Sequence, residues 1–505
     1  MTILKSVNKK ETLLATLIWT IILMGLVLRS YGIDRPNLWF DEAFSVVFAQ
    51  RDILSVFKLS LNDTTTPLFE IILYFLFRIY PNNEFIARLP SLLAGIGSLF
   101  VFYIIITYVL SRRYRIFALL LFSTNLVSLY FSRQARAYAL TQFFLLIACY
   151  SLIRLVKHWN KTFFLLLIFS NILAFLSHQL AVFFIIGECV VVIFEITKKN
   201  EDLALLRFLT LRKKTLIRWF LAFLPVGVMI FIWSLFLIAQ VKDASQVFYL
   251  QFHPYRSLIG TIGELSFCNL KVNLESLSFI YPFERVLIFA FAVFGTIVEM
   301  KYRRKKTPFY SVLFWIPLAC MYVVSFKVPI FSVRYISFLT PYFIILIVKG
   351  VKACVPKRAL QYILIGFFVI GNLLVYFKYL KNDTKKTHFL DLVSYLNKSK
   401  KDDDLMLATN ALIYTPVRYY SKENFESYIY DSWENIPFYH GKVILTEEDL
   451  LYDYVKIKSY KRVWIITDYN RNLENSCLED TFEKDYKLEA TKRFRIKYLC
   501  LWVAL

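Results

Sequence analysis

Residues 13–42 read LLATLIWTIILMGLVLRSYGIDRPNLWFDE. The run Leu13–Leu28 carries no charge, and with its flanks it reaches the ~17–25 apolar residues that cross a hydrocarbon core. Asn37-Leu38-Trp39-Phe40-Asp41-Glu42 then sets two carboxylates at the edge of a membrane. Charge there is costly unless paired or used, so an interfacial carboxylate is a functional hypothesis by default. The pair gains weight from its membrane face and from what else gathers there.

Outward from this stretch, apolar runs of span length recur to Phe377, at about 12–31, 90–110, 116–132, 137–156, 162–178, 179–196, 217–239, 284–300, 308–326, 335–351 and 359–377. With 58% hydrophobic and 18% aromatic residues among 505, the chain reads as a polytopic membrane protein and not as several soluble domains. No cleavable signal peptide is expected: Met1–Lys10 is basic, but the next segment has full span length and no small-residue cleavage site. The formal charge of +23 resides in clusters between spans: Lys5/Lys9/Lys10, Arg112/Arg113/Arg115, Lys157/Lys161, Lys198 through Arg218, Lys301–Lys306 and Lys352–Arg358. That is the positive-inside pattern, so the charge records topology and anionic lipid, not nucleic acid. The N-terminus is expected in the cytoplasm of a multi-pass cell-membrane protein, and the C-terminus outside.

The expected fold is thus a membrane all-α polytopic bundle of about eleven transmembrane helices (residues 1–380) with a C-terminal soluble α/β domain (381–505), extracytoplasmic. In the external loop 32–89, Phe44, Val47, Phe48, Leu54, Phe57 and Leu61 recur at helical spacing and predict a helix in the interface plane. Pro67–Tyr80 predicts a second short helix, with Thr66 as its cap. Beyond Asn382, strands are expected at Leu405–Thr409, Val443–Leu445, Val463–Thr467 and Tyr498–Val503, and a capping box at Thr446-Glu447-Glu448-Asp449. Asp402-Asp403-Asp404 reads as a solvated turn, with cation binding as the alternative. No Cys-x-x-Cys pair or Cys/His metal spacing occurs; Cys477 and Cys500 share the C-terminal domain and can pair if it lies outside.

Placed on this topology, Arg88, Arg133, Gln134, Arg136, His178, Arg334 and Tyr335 share one membrane face with Asp41 and Glu42. Arginines are scarce on that face by the positive-inside rule. Each alone reads as snorkelling to headgroups. Together with carboxylates they suit a phosphate-bearing lipid: arginine forks hold phosphate, and a carboxylate takes a proton from a hydroxyl.

In order, Trp39-Phe40-Asp41-Glu42, Thr66-Pro67-Leu68, Ala87-Arg88-Leu89-Pro90-Ser91, Ser132 through Leu140, His178 and Arg334-Tyr335 give a recognisable set. The chain resembles bacterial family 39-like glycosyltransferases of the C-type membrane fold, related to protein O-mannosyltransferases and to the aminoarabinose transferase of lipid A. The resemblance runs from the first span to the tenth. It implies a polyprenyl-phosphate-linked sugar as donor, transfer on the extracytoplasmic side, and Asp41 as the catalytic carboxylate. Related chains often read Gln-Glu-Ala-Arg where this one has Arg133-Gln134-Ala135-Arg136, so a neutral Gln134 replaces an acid.

The expected site is therefore catalytic Asp41 and Glu42, with Glu42 orienting a cation, an arginine or the acceptor. Arg88, Arg136 and Arg334 are expected on the donor phosphate, and Gln134, Tyr138, His178 and Tyr335 on substrate. Arg133 is expected to tolerate replacement best. No cofactor is implied with certainty; a divalent cation is left open and its ligands unknown. One base and one leaving group imply a single displacement with inversion onto a hydroxyl of a lipid, glycan or protein acceptor. A transporter or flippase of lipid-linked saccharide is the alternative, but it wants charges near the midplane and repeated halves. A binding or sensor protein led by the C-terminal domain leaves the arginines unexplained.

Overall fold

The structure, a computed structural model, describes residues 9–63, 65–197, 205–240, 251–266, 280–301, 307–383, 389–421, 426–468, 477–494 and 497–505. Of the basic clusters, Lys5, Lys198–Lys199 and Arg303–Lys306 lie outside these residues. A helix falls on every expected span. In chain order these are α1 (Lys9–Ser30), α5 (Glu84–Val109), α6 and α7 (Arg112–Thr124, Leu126–Phe131), α8 (Tyr138–Lys157), α9 (Lys161–Ser177), α10 (Ala181–Thr197) and α11 (Leu205–Gln240). Beyond Pro254–Ser266 (α12) follow α13 (Ile280–Lys301), α14 (Phe309–Val324), α15 (Val333–Ile336), α16 (Thr340–Cys354) and α17 (Arg358–Asp383). Among the described residues, six helices are long and apolar enough to cross a membrane: those at Glu11–Ser30, Glu84–Val109, Tyr138–Lys157, Lys213–Phe236, Val333–Cys354 and Arg358–Lys381. Large apolar side chains such as Leu13, Trp19, Phe231 and Ile363 stand exposed along them, as a lipid-facing surface requires. This is an integral membrane protein.

The bundle closes where small residues let backbones touch. An added Cβ at Gly295 would sit 2.0 Å from the Leu346 carbonyl oxygen, and one at Gly350 would sit 1.9 Å from that of Phe291. These two glycines bring α13 and α16 together without a side-chain layer.

The loop 32–89 holds three helices, not two. α2 (Phe40–Ala49) ends at Gln50, and Asp52 caps α3 (Ile53–Leu61), its carboxylate accepting from Leu54 N at 3.1 Å and Ser55 N at 3.0 Å. The third, α4 (Leu68–Ile79), starts at Pro67 without help from Thr66, whose hydroxyl is buried and makes no hydrogen bond among the described residues. The apolar face of α2 does not rest on lipid as expected. Phe44, Val47 and Phe48, with Val56 of α3, are buried in one core with Phe389, Leu392, Met406, Trp464 and Ile466 of the C-terminal region.

That region carries a five-stranded mixed sheet of order β2-β1-β3-β5-β4, with β1 Leu405–Ala408, β2 Ser427–Ile429, β3 Arg462–Asp468, β4 Tyr486–Phe494 and β5 Lys497–Ala504. β1 runs parallel to β2 and β3, while β5 pairs antiparallel with β3 and β4. Alternation splits its side chains: Met406, Trp464, Ile466 and Leu501 face α2, and Leu405, Leu407, Ile465 and Trp502 fill a second core on the other side. α18 (Phe389–Ser399) and α19 (Ala411–Ser421) share the first core. Three of the four expected strands exist. Val443–Leu445 instead follows a left-handed Gly441 (φ 74°) and folds as a 3-10 turn, Lys442–Ile444. The capping box is present, with Thr446 N on Asp449 Oδ2 at 2.8 Å. In the acidic run, Asp404 is buried, accepting from Trp464 Nε1 at 2.8 Å, so it is neither a solvated turn residue nor free for a cation. Cys477 and Cys500 form a disulfide.

Candidate active site

Helix α2 starts at Trp39, whose extended backbone (φ −87°, ψ 174°) turns the chain out of the loop so that Asp41 and Glu42 fall in the first turn. Negative charge there is favoured by the exposed N–H groups. Successive residues on a helix point apart, and the two carboxylates have separate surroundings.

Glu42 points inward. Its carboxylate receives Arg88 Nε and Nη2, both at 2.8 Å, and the Ala135 N–H at 2.9 Å. Both side chains of the pair are almost fully buried, at 3% and 2% exposure. Arg88 spends Nη1 on the carbonyls of Ile33 (2.7 Å) and Pro36 (2.8 Å). Its expected place on a donor phosphate therefore does not fit the geometry, because every nitrogen of the guanidinium already serves the loop. Gln134 is buried behind the same turn and does not line the cavity described below. Arg133 is buried as well, and caps the end of α1 through the carbonyls of Arg29 (3.0 Å), Tyr31 (2.8 Å) and Gly32 (3.2 Å). It is neither snorkelling nor placed to tolerate replacement. The prediction for Arg88→Lys is accordingly a loss of folded protein, read as thermal stability in detergent. Breaking a buried pair costs about 3–5 kcal/mol, and a lysine that keeps only part of the fork should lose a good share of that. Unchanged melting of that variant would overturn the structural role of Arg88.

Asp41 points the other way, into a cavity of about 160 Å³. Its carboxylate meets Arg334 Nη1 at 3.3 Å, and the two side chains keep 20% and 26% exposure. Arg136 also lines the cavity, with Nη1 donating to the Asp41 carbonyl at 3.2 Å and to Ser45 Oγ at 2.9 Å. Ser45 in turn donates to Glu70 Oε1 at 2.9 Å. Burial disfavours the Arg136 charge, but Tyr138, Asp41 and Glu70 outweigh that and raise its pKa. Burial also pushes the Glu70 carboxyl up, with Arg136 opposing.

A ring cluster closes one side: Tyr138 and Tyr335 each lie 5.5 Å from His178, centroid to centroid, and 6.4 Å from each other. His178 sits in the turn between α9 and α10, its Nδ1 accepting from Leu180 N at 3.3 Å. With Nδ1 taken up as an acceptor, the neutral ring carries its proton on Nε2 and offers a donor there. Phe40, Phe44, Phe438, Tyr439 and Gly441 complete the lining.

The cavity thus gathers Asp41, Arg136, Tyr138, His178, Arg334 and Tyr335, and leaves out Glu42, Arg88 and Gln134. Sequence reading missed Glu70, Asp63, Thr66 as a lining residue, and the segment around Phe438. A signal for Glu70 exists: it is a lone acid in the short apolar helix Leu68–Ile79. Among the described residues, no three His, Cys, Asp or Glu side chains gather as a metal site. The cavity's acids are engaged by protein donors instead, Asp41 by Arg334, Glu70 by Ser45 and Asp63 by Thr65. The residues present do not fit a divalent cation.

A family model described as dolichyl-phosphate-mannose-protein mannosyltransferase matches residues 64–212. Among solved structures, ArnT from Cupriavidus metallidurans bound to undecaprenyl phosphate is 10% identical, with a TM-score of 0.59 over 97% of this chain and 98% of that one. Its apo state gives 9% identity and 0.58 over 98% of both chains. The chain has the C-type membrane glycosyltransferase fold. The resemblance read from the ordered motifs therefore holds. The C-type likeness extends to an oligosaccharyltransferase from Archaeoglobus fulgidus in complex with zinc and sulfate, 10% identical, with a TM-score of 0.51 over 89% of this chain and 67% of that one. No curated protein matches the chain by sequence.

Proposed function

We propose that this protein is a glycosyltransferase that moves a sugar from a polyprenyl-phosphate carrier to an acceptor hydroxyl at the outer face of the membrane, with inversion. The observation that carries the reading is one cavity in which Asp41 faces two arginines, Arg136 and Arg334, on the C-type fold. The family description and the undecaprenyl phosphate held by ArnT supply the carrier class.

Chemically, the arriving phosphate takes Arg334 from Asp41, a loose, partly exposed pair worth little to stability. Arg136 and Arg334 then hold the phosphate oxygens, where charge grows as the bond from the anomeric carbon to phosphate oxygen breaks. The acceptor oxygen forms the new bond to that carbon and passes its proton to the freed Asp41 carboxylate. Polyprenyl phosphate leaves with the electron pair. One displacement inverts the centre. No step passes through a cation. Glu70 acts through Ser45, fixing Arg136; Glu42 and Arg88 hold the Asp41 helix against the arginine turn.

We place Asp41 and residues 381–505 outside the cell, with the N-terminus within and eleven crossings between. The basic inner loops support that side, and so does the Cys477–Cys500 disulfide, which persists in oxidising compartments. The test uses a deletion strain. Its membranes should accumulate a labelled polyprenyl-phosphate sugar that the purified protein discharges onto the strain's own envelopes. Cysteines introduced at Asn62 and Ser459 should react with an impermeant maleimide in intact cells. A normal lipid pool would sink the activity; labelling only after lysis would sink the sidedness.

A further inference from the structure

The cavity has two unlike walls. One, built by the ends of membrane helices, is cationic and carries Arg136 and Arg334 with the His178 ring cluster. The other is aromatic and comes from α2 and the C-terminal region: Phe40, Phe44, Phe438 and Tyr439. The segment Phe438–His440 is a 3-10 turn closed by left-handed Gly441 (φ 74°). A Cβ there would come within 2.9 Å of Phe44 Cδ2 and 3.1 Å of Phe40 Cζ. Only glycine both takes this backbone and lets the turn lie flat on the helix that carries Asp41.

Single displacement requires acceptor and leaving phosphate on opposite sides of the anomeric carbon. With phosphate on Arg136 and Arg334, the acceptor, whose proton goes to Asp41, is assigned to the aromatic lining that flanks Asp41: Phe40, Phe44 and the Phe438–Gly441 turn. Uncharged rings with electron-rich faces suit a flat C–H surface rimmed by hydroxyls, which is the build of a sugar ring. One mode of peptide docking, addition to a strand edge, needs strand residues at the site. Among the described residues, no strand residue lines the cavity.

Resting on the glycosyltransferase reading above, we propose that the Phe438–Gly441 turn, with Phe40 and Phe44, is the acceptor subsite, and that the acceptor is a glycan whose terminal ring stacks there. The full-length protein in nanodiscs is given labelled polyprenyl-phosphate sugar from the deletion strain. Protease-treated envelope glycan and the envelope protein fraction of that strain serve as separate acceptors. Tyr439→Ala is expected to lower transfer about tenfold at low glycan concentration and to recover as glycan is raised. Tyr439→Phe, which keeps the ring, should match the parent. Undecaprenyl phosphate affinity should be equal in all three proteins. Unchanged transfer by the Ala variant overturns the subsite. So does weakened undecaprenyl phosphate binding, which would put the aromatic wall on the donor side. Label entering only the protein fraction overturns the glycan. A parent that discharges no donor onto either acceptor fails at the underlying activity, and is told apart by the absence of any parental signal.

Discussion

Asp41→Asn is expected to lower sugar transfer by roughly 10²–10⁴-fold, the usual contribution of a positioned general base. Undecaprenyl phosphate binding and melting temperature should stay near parental. The substitution keeps the side-chain shape, and the ion pair it weakens is single, 3.3 Å long and partly exposed, a class worth about 0–1 kcal/mol. Glu42→Gln, one residue on, should do the reverse. It strips the charge that faces a buried guanidinium through two 2.8 Å contacts, so the loss falls on folded yield. Turnover and stability measured on both variants settle which carboxylate does which work. Near-parental turnover in the Asp41 variant would remove the base.

Arg136→Lys should cost about ten- to a hundredfold in kcat/KM, from the roughly 1.5–3 kcal/mol carried by one charge-assisted contact. Lysine keeps the charge but cannot donate to Ser45, to the Asp41 carbonyl and to a phosphate from one planar fork. Arg334→Lys should be milder, because the 3.3 Å contact of Arg334 to Asp41 is loose and partly exposed before the donor arrives. In both, undecaprenyl phosphate affinity should fall with the rate. A residue that only reaches headgroups would accept lysine almost freely. If both variants run at the parental rate, the phosphate clamp is wrong.

The membrane helices were legible because span length and hydropathy are local properties, each read within its own run of residues. Asp41 was legible because a carboxylate just past a span is rare. The roles of the arginines were not. Arg88, Arg133, Arg136 and Arg334 all stand at helix ends on one face, and their sequence context is the same whether the guanidinium caps carbonyls or lines a cavity. What separates them is the partner. Arg133 meets the end of α1, and Arg88 meets Glu42, across distances in sequence that no periodicity reports. The lipid-facing reading of α2 failed for the same reason. Phe44 and Phe48 have the spacing of an interfacial helix, but the surface that covers them belongs to Met406, Trp464 and Ile466. β2 and β4 escaped notice because one is three residues long and the other mostly exposed and polar.

The helix bearing Asp41 cannot finish folding when it is made. Its outer face waits for the sheet, and its entry loop waits for Tyr420, which receives the Leu38 N–H at 2.7 Å across 382 residues. Arg51 reaches the Ile444 carbonyl across 393. At ~5–20 residues per second, the ribosome spends about 20–80 s between these partners. During that interval the early membrane segments are already inserted beside their lipid substrate, yet the catalytic helix has no backing. On the proposed function, chemistry is thereby deferred until the distal region is made and docked, so an arrested or prematurely terminated nascent chain should occupy the bilayer without consuming carrier.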